Sequence, residues 1–147
     1  MRIERLSKTE WDQISCNAHV AVFKEIKPAY TNRIDYALLM LEEKKIIGFG
    51  TVRELDDESI YWQYGGALEE HRNTPATFRA YCLTADYCFA HGVNNITTIV
   101  ENTNLSMLKF ALKIGFLIIG TKTLDNKVYL DLHLTREDYV TATRKTM

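Results

Sequence analysis

Proline and glycine are scarce, with two and seven copies in 147 residues, which excludes collagen-like repeats and flexible low-complexity linkers. Cysteine is limited to Cys16, Cys82 and Cys88, an odd number without CxxC spacing, and this excludes a disulfide-stapled scaffold or a zinc ribbon. No run approaches the roughly 18 consecutive apolar residues of a membrane span. An excess of charge is missing too, since 18 Lys and Arg face 19 Asp and Glu for a formal net charge of -1. That balance argues against a nucleic-acid backbone or an anionic membrane surface as the main partner. The opening residues MRIERLSKTEW hold no apolar segment of the signal-peptide kind. The expectation is a protein of a reduced, cytoplasmic compartment.

What is present is an ordinary globular composition, 46% apolar and 25% charged, at a length where folding buries roughly two-thirds of the unfolded surface without help from metal or disulfide. Arg2 to Leu6 alternates like a short strand, and Ser7-Lys8-Thr9-Glu10 fits a capping box that opens a helix through about Asn17. His19 to Tyr30 fits a helix loosely and ends at Pro28. The runs YALLMLEE from Tyr36 and IIGFGTVREL from Ile46 predict a hairpin of two core strands around Glu43-Lys44-Lys45, and Ser59 to Leu68 predicts a third. Gly65-Gly66 within that third run suggests a bulge or a close approach to the backbone.

Thr74 as N-cap and Pro75 at the first helical position open a helix up to Gly92, apolar on two sides and therefore packed between layers. Next come a strand at Asn95 to Val100, a helix at Leu105 to Ile114 closed by Gly115, and strands at Phe116 to Thr123 and Val128 to Leu134 turning at Asp125-Asn126. Thr135 to Asp138 caps a last short helix. The order predicts an α/β (α+β) fold: a central mixed, mostly antiparallel twisted sheet of about six to seven strands with helices on both faces. Residues 1–134 form one domain and 135–147 a short C-terminal helical tail.

The segment NITTIVENTNLSMLKFALKIGFLIIG, Asn95 to Gly120, carries the most information. A strand ends in a polar loop, a helix closes on Lys113-Ile114-Gly115-Phe116, and the chain returns directly to a strand. Here the sequence resembles the GNAT superfamily of acyl-CoA-dependent N-acyltransferases, whose helix motif reads N-x-x-A-x-x-x-Y-x-K-x-G-F. Asn104, Lys113, Gly115 and Phe116 fall on four of its positions in register, and the element order resembles that fold over about Arg2 to Leu134. Each matched residue taken alone is also explained as a cap or a core residue.

The resemblance implies acetyl-CoA, or another acyl-CoA, as co-substrate. It assigns the pyrophosphate to a loop R-G-x-G-x-G/A at a helix N-terminus, where backbone amides and the helix dipole favour an anion. The matching stretch is Arg72-Asn73-Thr74-Pro75-Ala76-Thr77, in which every glycine is replaced and Pro75 removes a donor. An ordinary capped helix start explains it equally well. Asn104 and Lys109 on the next helix are further cofactor candidates. By the same resemblance the pantetheine arm pairs with the backbone of Gly65, Gly66, Ala67 and Leu68. The motif's tyrosine, the usual acid for the leaving thiolate, is Ala111 here. Tyr61, Tyr64, His71 and Tyr81 lie in segments that could reach the cleft in its place, with Tyr64 and Tyr81 equally read as packed aromatics, and Glu69 and Glu70 could act as a base directly or through water.

The reading implied is transfer of an acetyl group to a small-molecule or protein amine by direct attack in a ternary complex, and a homodimer is compatible with it. The rival is a GNAT-fold binding or structural protein that has lost catalysis, as a component of a phage or larger assembly. The glycine-free loop and Ala111 speak for that rival. His19, His91 and His133 read as surface or helix-end residues, and Cys82 and Cys88 as small core residues.

Overall fold

A computed structural model of the protein describes residues 1–14, 34–67 and 74–144, with 64–67 described by backbone alone. In chain order these form β1 (Arg2–Ser7), helical residues 8–14 (α1), β2 (Tyr36–Glu42), β3 (Lys45–Glu54), β4 (Ser59–Ala67), α2 (Pro75–Ala90), β5 (Asn95–Glu101), α3 (Leu105–Ile114), β6 (Leu117–Leu124), β7 (Lys127–Thr135) and α4 (Arg136–Arg144). The strands form one seven-stranded sheet in the order β1-β2-β3-β4-β5-β7-β6. The pairs β1–β2, β2–β3, β5–β7 and β6–β7 are antiparallel. β5 and β6 therefore run parallel to each other on either side of β7. The predicted α+β architecture is the one observed.

The chain divides into two compact units, Met1–Glu54 with Trp62–Cys88, and Leu55–Tyr61 with Phe89–Met147. In the first, the capping box is closed as anticipated: the Glu10 amide donates to Ser7 Oγ at 3.2 Å and the Ser7 amide to Glu10 Oε1 at 3.0 Å. The Ser7 amide also holds the Glu10 carboxyl below its usual range. β2 is buried on both faces, which is why it reads as a continuous apolar run. One face packs Ala37, Leu39, Leu41 and Phe49 with Leu6, Trp11 and Ile34. On the other, Met40 and Ile47 meet Ala80 of α2.

A register shift interrupts the β2–β3 ladder between Met40 and Leu41. Leu41 pairs with Ile46 and Met40 with Gly48, so Ile47 is the extra residue of a bulge. Ile46 packs against the first of these clusters and Ile47 belongs to the second. The Trp11 and Phe49 rings, with centroids 4.9 Å apart, close the α1 side. Along α2, buried Thr77, Ala80, Cys82, Thr84, Ala85 and Cys88 face several directions, as expected for a helix apolar on two sides.

In the second unit, β5 buries Ile96, Thr98 and Val100 and half-exposes the residues between them. β7 does the same with Leu132 and Leu134. The β6–β7 hairpin turns at Asp125 and Asn126, both at positive φ (50° and 64°), the geometry of a two-residue type I′ turn. α4 starts at Thr135, whose Oγ1 accepts the Asp138 amide at 3.1 Å. Arg136 Nη2 donates to the Phe89 carbonyl, in the last turn of α2, at 2.6 Å and to the Val93 carbonyl, beyond the helix, at 3.2 Å.

One boundary and one residue assignment need correction. Phe116 is not in β6 but is a buried residue between α3 and the strand. His133 is not a surface or helix-end residue: it lies within β7, half-buried, with Nε2 3.1 Å from Asn95 Oδ1. The helix anticipated within His19 to Tyr30, and Cys16, lie outside the described residues.

Candidate functional site

α3 owes its start and its end to the residues that match the motif. Asn104 is the N-cap, its Oδ1 accepting the Met107 amide at 3.3 Å. At the other end Gly115 is left-handed at φ 112°, its amide donating to the Leu112 carbonyl at 3.2 Å while the Phe116 amide reaches the Ala111 carbonyl at 3.0 Å. This is a Schellman closure. Glycine is required there twice over, because a Cβ at Gly115 would lie 2.6 Å from the Asp138 carbonyl oxygen of α4. Phe116 then enters the core. The spacing of Asn104, Gly115 and Phe116 thus sets the length of α3 and docks its end on α4.

Lys109 and Lys113 are both exposed on α3, one turn apart. Ala111, at the position of the motif's tyrosine, is only 1% exposed and faces packed core. No hydroxyl is available there, and a tyrosine would have to displace its neighbours.

α2 begins as anticipated. The Thr77 amide donates to Thr74 Oγ1 at 3.3 Å, the two hydroxyls are 3.4 Å apart, and Pro75 takes the first helical position. Thr77 is buried, Ala76 half-buried and Thr74 half-buried. Gly65, Gly66 and Ala67 end β4, and Tyr64 precedes them in that strand. Leu68, Glu69, His71, Arg72 and Asn73 lie outside the described residues. Of the expected site residues, then, those at the start of α2 fall in the first unit and those on α3 in the second.

The helix starts differ in charge in a way that matters for an anion. α1 carries Glu10, and α4 carries Glu137 and Asp138 in its first turn. α2 and α3 have no acidic residue in theirs. Among the described helices, these two have no carboxylate in the first turn to compensate the positive end of the dipole. The sequence already contained this contrast, but it emerges only once the helix starts are fixed. Among the described residues, no group of three or more His, Cys, Asp or Glu could hold a metal, and no helix is long and apolar enough to cross a membrane.

Cys88 and Tyr36 form the other chemically distinctive cluster of the first unit. Burial pushes the Cys88 thiol up to about 12 and the Tyr36 phenol upward as well, while the Arg5 guanidinium, 3.8 Å from the Tyr36 ring centroid, opposes both shifts. A thiol so disfavoured as thiolate is a packing residue rather than a nucleophile.

No family model and no curated protein matches the sequence. Solved structures do. A chimera of the Vibrio cholerae spermidine N-acetyltransferase SpeG with hSSAT is similar over 96% of this chain and 99% of its own, with a TM-score of 0.74 at 12% identity. An IAA acetyltransferase from Bacillus cereus ATCC 14579 is similar over 90% of this chain and 97% of its own, with a TM-score of 0.68 at 13% identity. A GNAT family acetyltransferase from Elizabethkingia anophelis, solved with acetyl-CoA bound, covers 68% of this chain and 75% of its own, with a TM-score of 0.54 at 15% identity. The chain has the GNAT fold.

Proposed function

We propose that this chain is an N-acyltransferase that moves an acetyl group from acetyl-CoA to a primary amine by direct attack in a ternary complex. The observation that carries the reading is the extent of the likeness: the fold matches a spermidine N-acetyltransferase chimera along 96% of this chain and 99% of that one. The chemistry of the helix starts fits the group. α2 and α3 both begin without a carboxylate, and α2 adds the hydroxyls of Thr74 and Thr77. Such ends suit a pyrophosphate.

In this reading Arg72, Asn73, Thr74, Ala76 and Thr77 hold the pyrophosphate, with Asn104 and Lys109 contributing from α3. The backbone of Gly66, Ala67 and Leu68 pairs with the pantetheine arm, and an amide near Ala67 or Leu68 polarises the thioester carbonyl. Acetyl-CoA supplies an activated acyl group with a thiolate leaving group. Glu69 or His71 takes the proton that the amine loses as the new C–N bond forms, and Tyr64 returns one to sulfur as the C–S bond breaks. The domain spans residues 1–134 with 135–147 as its tail. The protein works in the cytoplasm on a small-molecule or protein amine.

Two observations favour a second reading, a GNAT-fold binding or structural protein without catalysis. Ala111 is buried and has no proton to give, and Pro75 offers no amide at the start of α2. Thiol release separates the two. Acetyl-CoA is incubated with spermidine, aminoglycosides and N-terminal peptides, and free CoA is followed with a thiol reagent. The enzyme reading requires amine-dependent release with at least one acceptor and formation of its N-acetyl product. Absence of release across the panel, with CoA bound, establishes the second reading.

A further inference from the structure

In the second unit, β5 starts at Asn95, opposite Thr135 of β7, and β6 starts at Leu117, opposite His133. Both therefore begin at the end of the sheet where β7 finishes and α4 starts. Polar side chains knit that end together. Asn95 Nδ2 donates to Ser59 Oγ at 3.4 Å, Asn95 Oδ1 faces His133 Nε2 at 3.1 Å, and the Asn94 and Asn95 amides both reach the Glu58 carbonyl, at 2.8 and 3.1 Å. The start of α3 lies elsewhere, ten residues or about 15 Å along the helix from its closure at Gly115.

α4 carries this fixed frame across to α3. On one side Arg136 Nη2 reaches Asn94 Oδ1 at 3.4 Å as well as the Phe89 and Val93 carbonyls, and the guanidinium lies 5.6 Å from the Phe89 ring centroid. Tyr139, one turn on, packs against the same ring with centroids 5.4 Å apart. On the other side α4 meets Gly115 so closely that an added Cβ would stand 2.6 Å from the Asp138 carbonyl oxygen and 3.1 Å from Ala142 Cβ. That contact is largely backbone on backbone, so a shift of α4 is passed to α3 rather than absorbed by a side-chain rotation.

Two anchors fix the direction of a rod. The turn before α3 is tied to β7 by the Asn102 amide, which donates to the Val128 carbonyl at 2.9 Å, and this fixes where the helix begins. α4 fixes where it ends. We propose that α4 is a positioning element for α3, with Arg136 as the positioning residue that holds it in place, and that it thereby sets the aim of the first-turn amides and of Lys109 toward the pyrophosphate. The inference rests on the reading that α3 contributes to CoA binding. Arg136 acts through α4 and is not a catalytic residue.

The test is calorimetric titration of full-length variants with CoA, at a temperature where circular dichroism shows each of them folded. Arg136→Met keeps the length of the side chain and removes its donors, and is expected to raise the CoA dissociation constant about fivefold or more. Arg136→Lys keeps a charged donor for the Phe89 carbonyl, and is expected to recover most of the lost affinity. Ala142→Val reaches the same contact from the other side by pushing α4 away from Gly115, so it reports if the methionine variant does not fold; weaker CoA binding is expected there too. A folded Arg136→Met or Ala142→Val chain that binds CoA like wild type, even with a lowered Tm, overturns the proposal and leaves the acyltransferase reading standing. A wild-type chain that binds no CoA overturns both.

Discussion

In the first unit β2 is enclosed, with α1 residues against one face and α2 residues against the other, and its sequence is apolar at nearly every position. In the second, β5 and β7 bury alternate residues on one face, with half-exposed residues between them, and lead to an apolar edge in water. The difference teaches where specificity resides in this chain. The first unit is held by packing volume. The second is held by caps and turns at defined positions: Asn104, Gly115, the Asp125-Asn126 turn and Thr135.

The comparison can be broken most severely by emptying the enclosed core. Phe49→Ala removes a ring with no exposure that stacks on Trp11, and should cost about 3–5 kcal/mol in urea unfolding. Ile118→Ala, at an exposed position of the second unit, should cost under about 0.5 kcal/mol in a dilute monomer. Equal losses would erase the distinction drawn between the units.

Gly115→Ala comes next. A left-handed alanine costs about 1–2 kcal/mol, and the contact with the Asp138 carbonyl adds to it, so at least about 2 kcal/mol is expected. A loss below about 1 kcal/mol, the cost of an ordinary surface change, would show that α3 does not depend on its cap and on α4 as described.

A third prediction compares cofactor affinities at the start of α2. If the start of α2 holds the pyrophosphate as proposed, Arg72→Glu should weaken CoA binding about tenfold or more, whereas Thr74→Ala should weaken it only a few-fold, as measured by calorimetry. Equal and negligible changes would put the cofactor elsewhere.

The smallest effect concerns Cys88. With its folded pKa raised to about 12, the contribution of this thiol to stability is complete below the unfolded value near 8.5 and is lost as pH climbs toward 12. Alkylation of Cys88 at about pH 8.5, read by peptide mass mapping, should be far slower in the folded protein than in urea. Comparable rates would mean that the α2 side of the first core opens readily.

Much of this architecture was legible because its signals are local. Ser7 with Glu10, Thr74 with Pro75, Asn104 with Gly115 and Thr135 each bracket a helix by hydrogen bonds within one turn of the residue itself. The missed features depend on register. That β7 lies between β5 and β6, that Ile47 and Ile119 are bulged, and that His133 meets Asn95 are consequences of pairing between distant segments. No local pattern encodes them. The site was legible in part. The sequence identified Asn104 and Gly115, and the structure gives each a structural duty, whereas the burial of Ala111 could be known only once α3 was packed.

The central claim is that this GNAT fold still takes an acyl-CoA, and the most direct measurement is thermal unfolding with and without CoA. At 100 times its dissociation constant, a ligand stabilises by about 2.7 kcal/mol. For a chain of this size that corresponds to a rise of roughly 5–10 °C in Tm. A saturable rise of that order with CoA is the result expected, and an unchanged Tm at millimolar CoA would contradict the account.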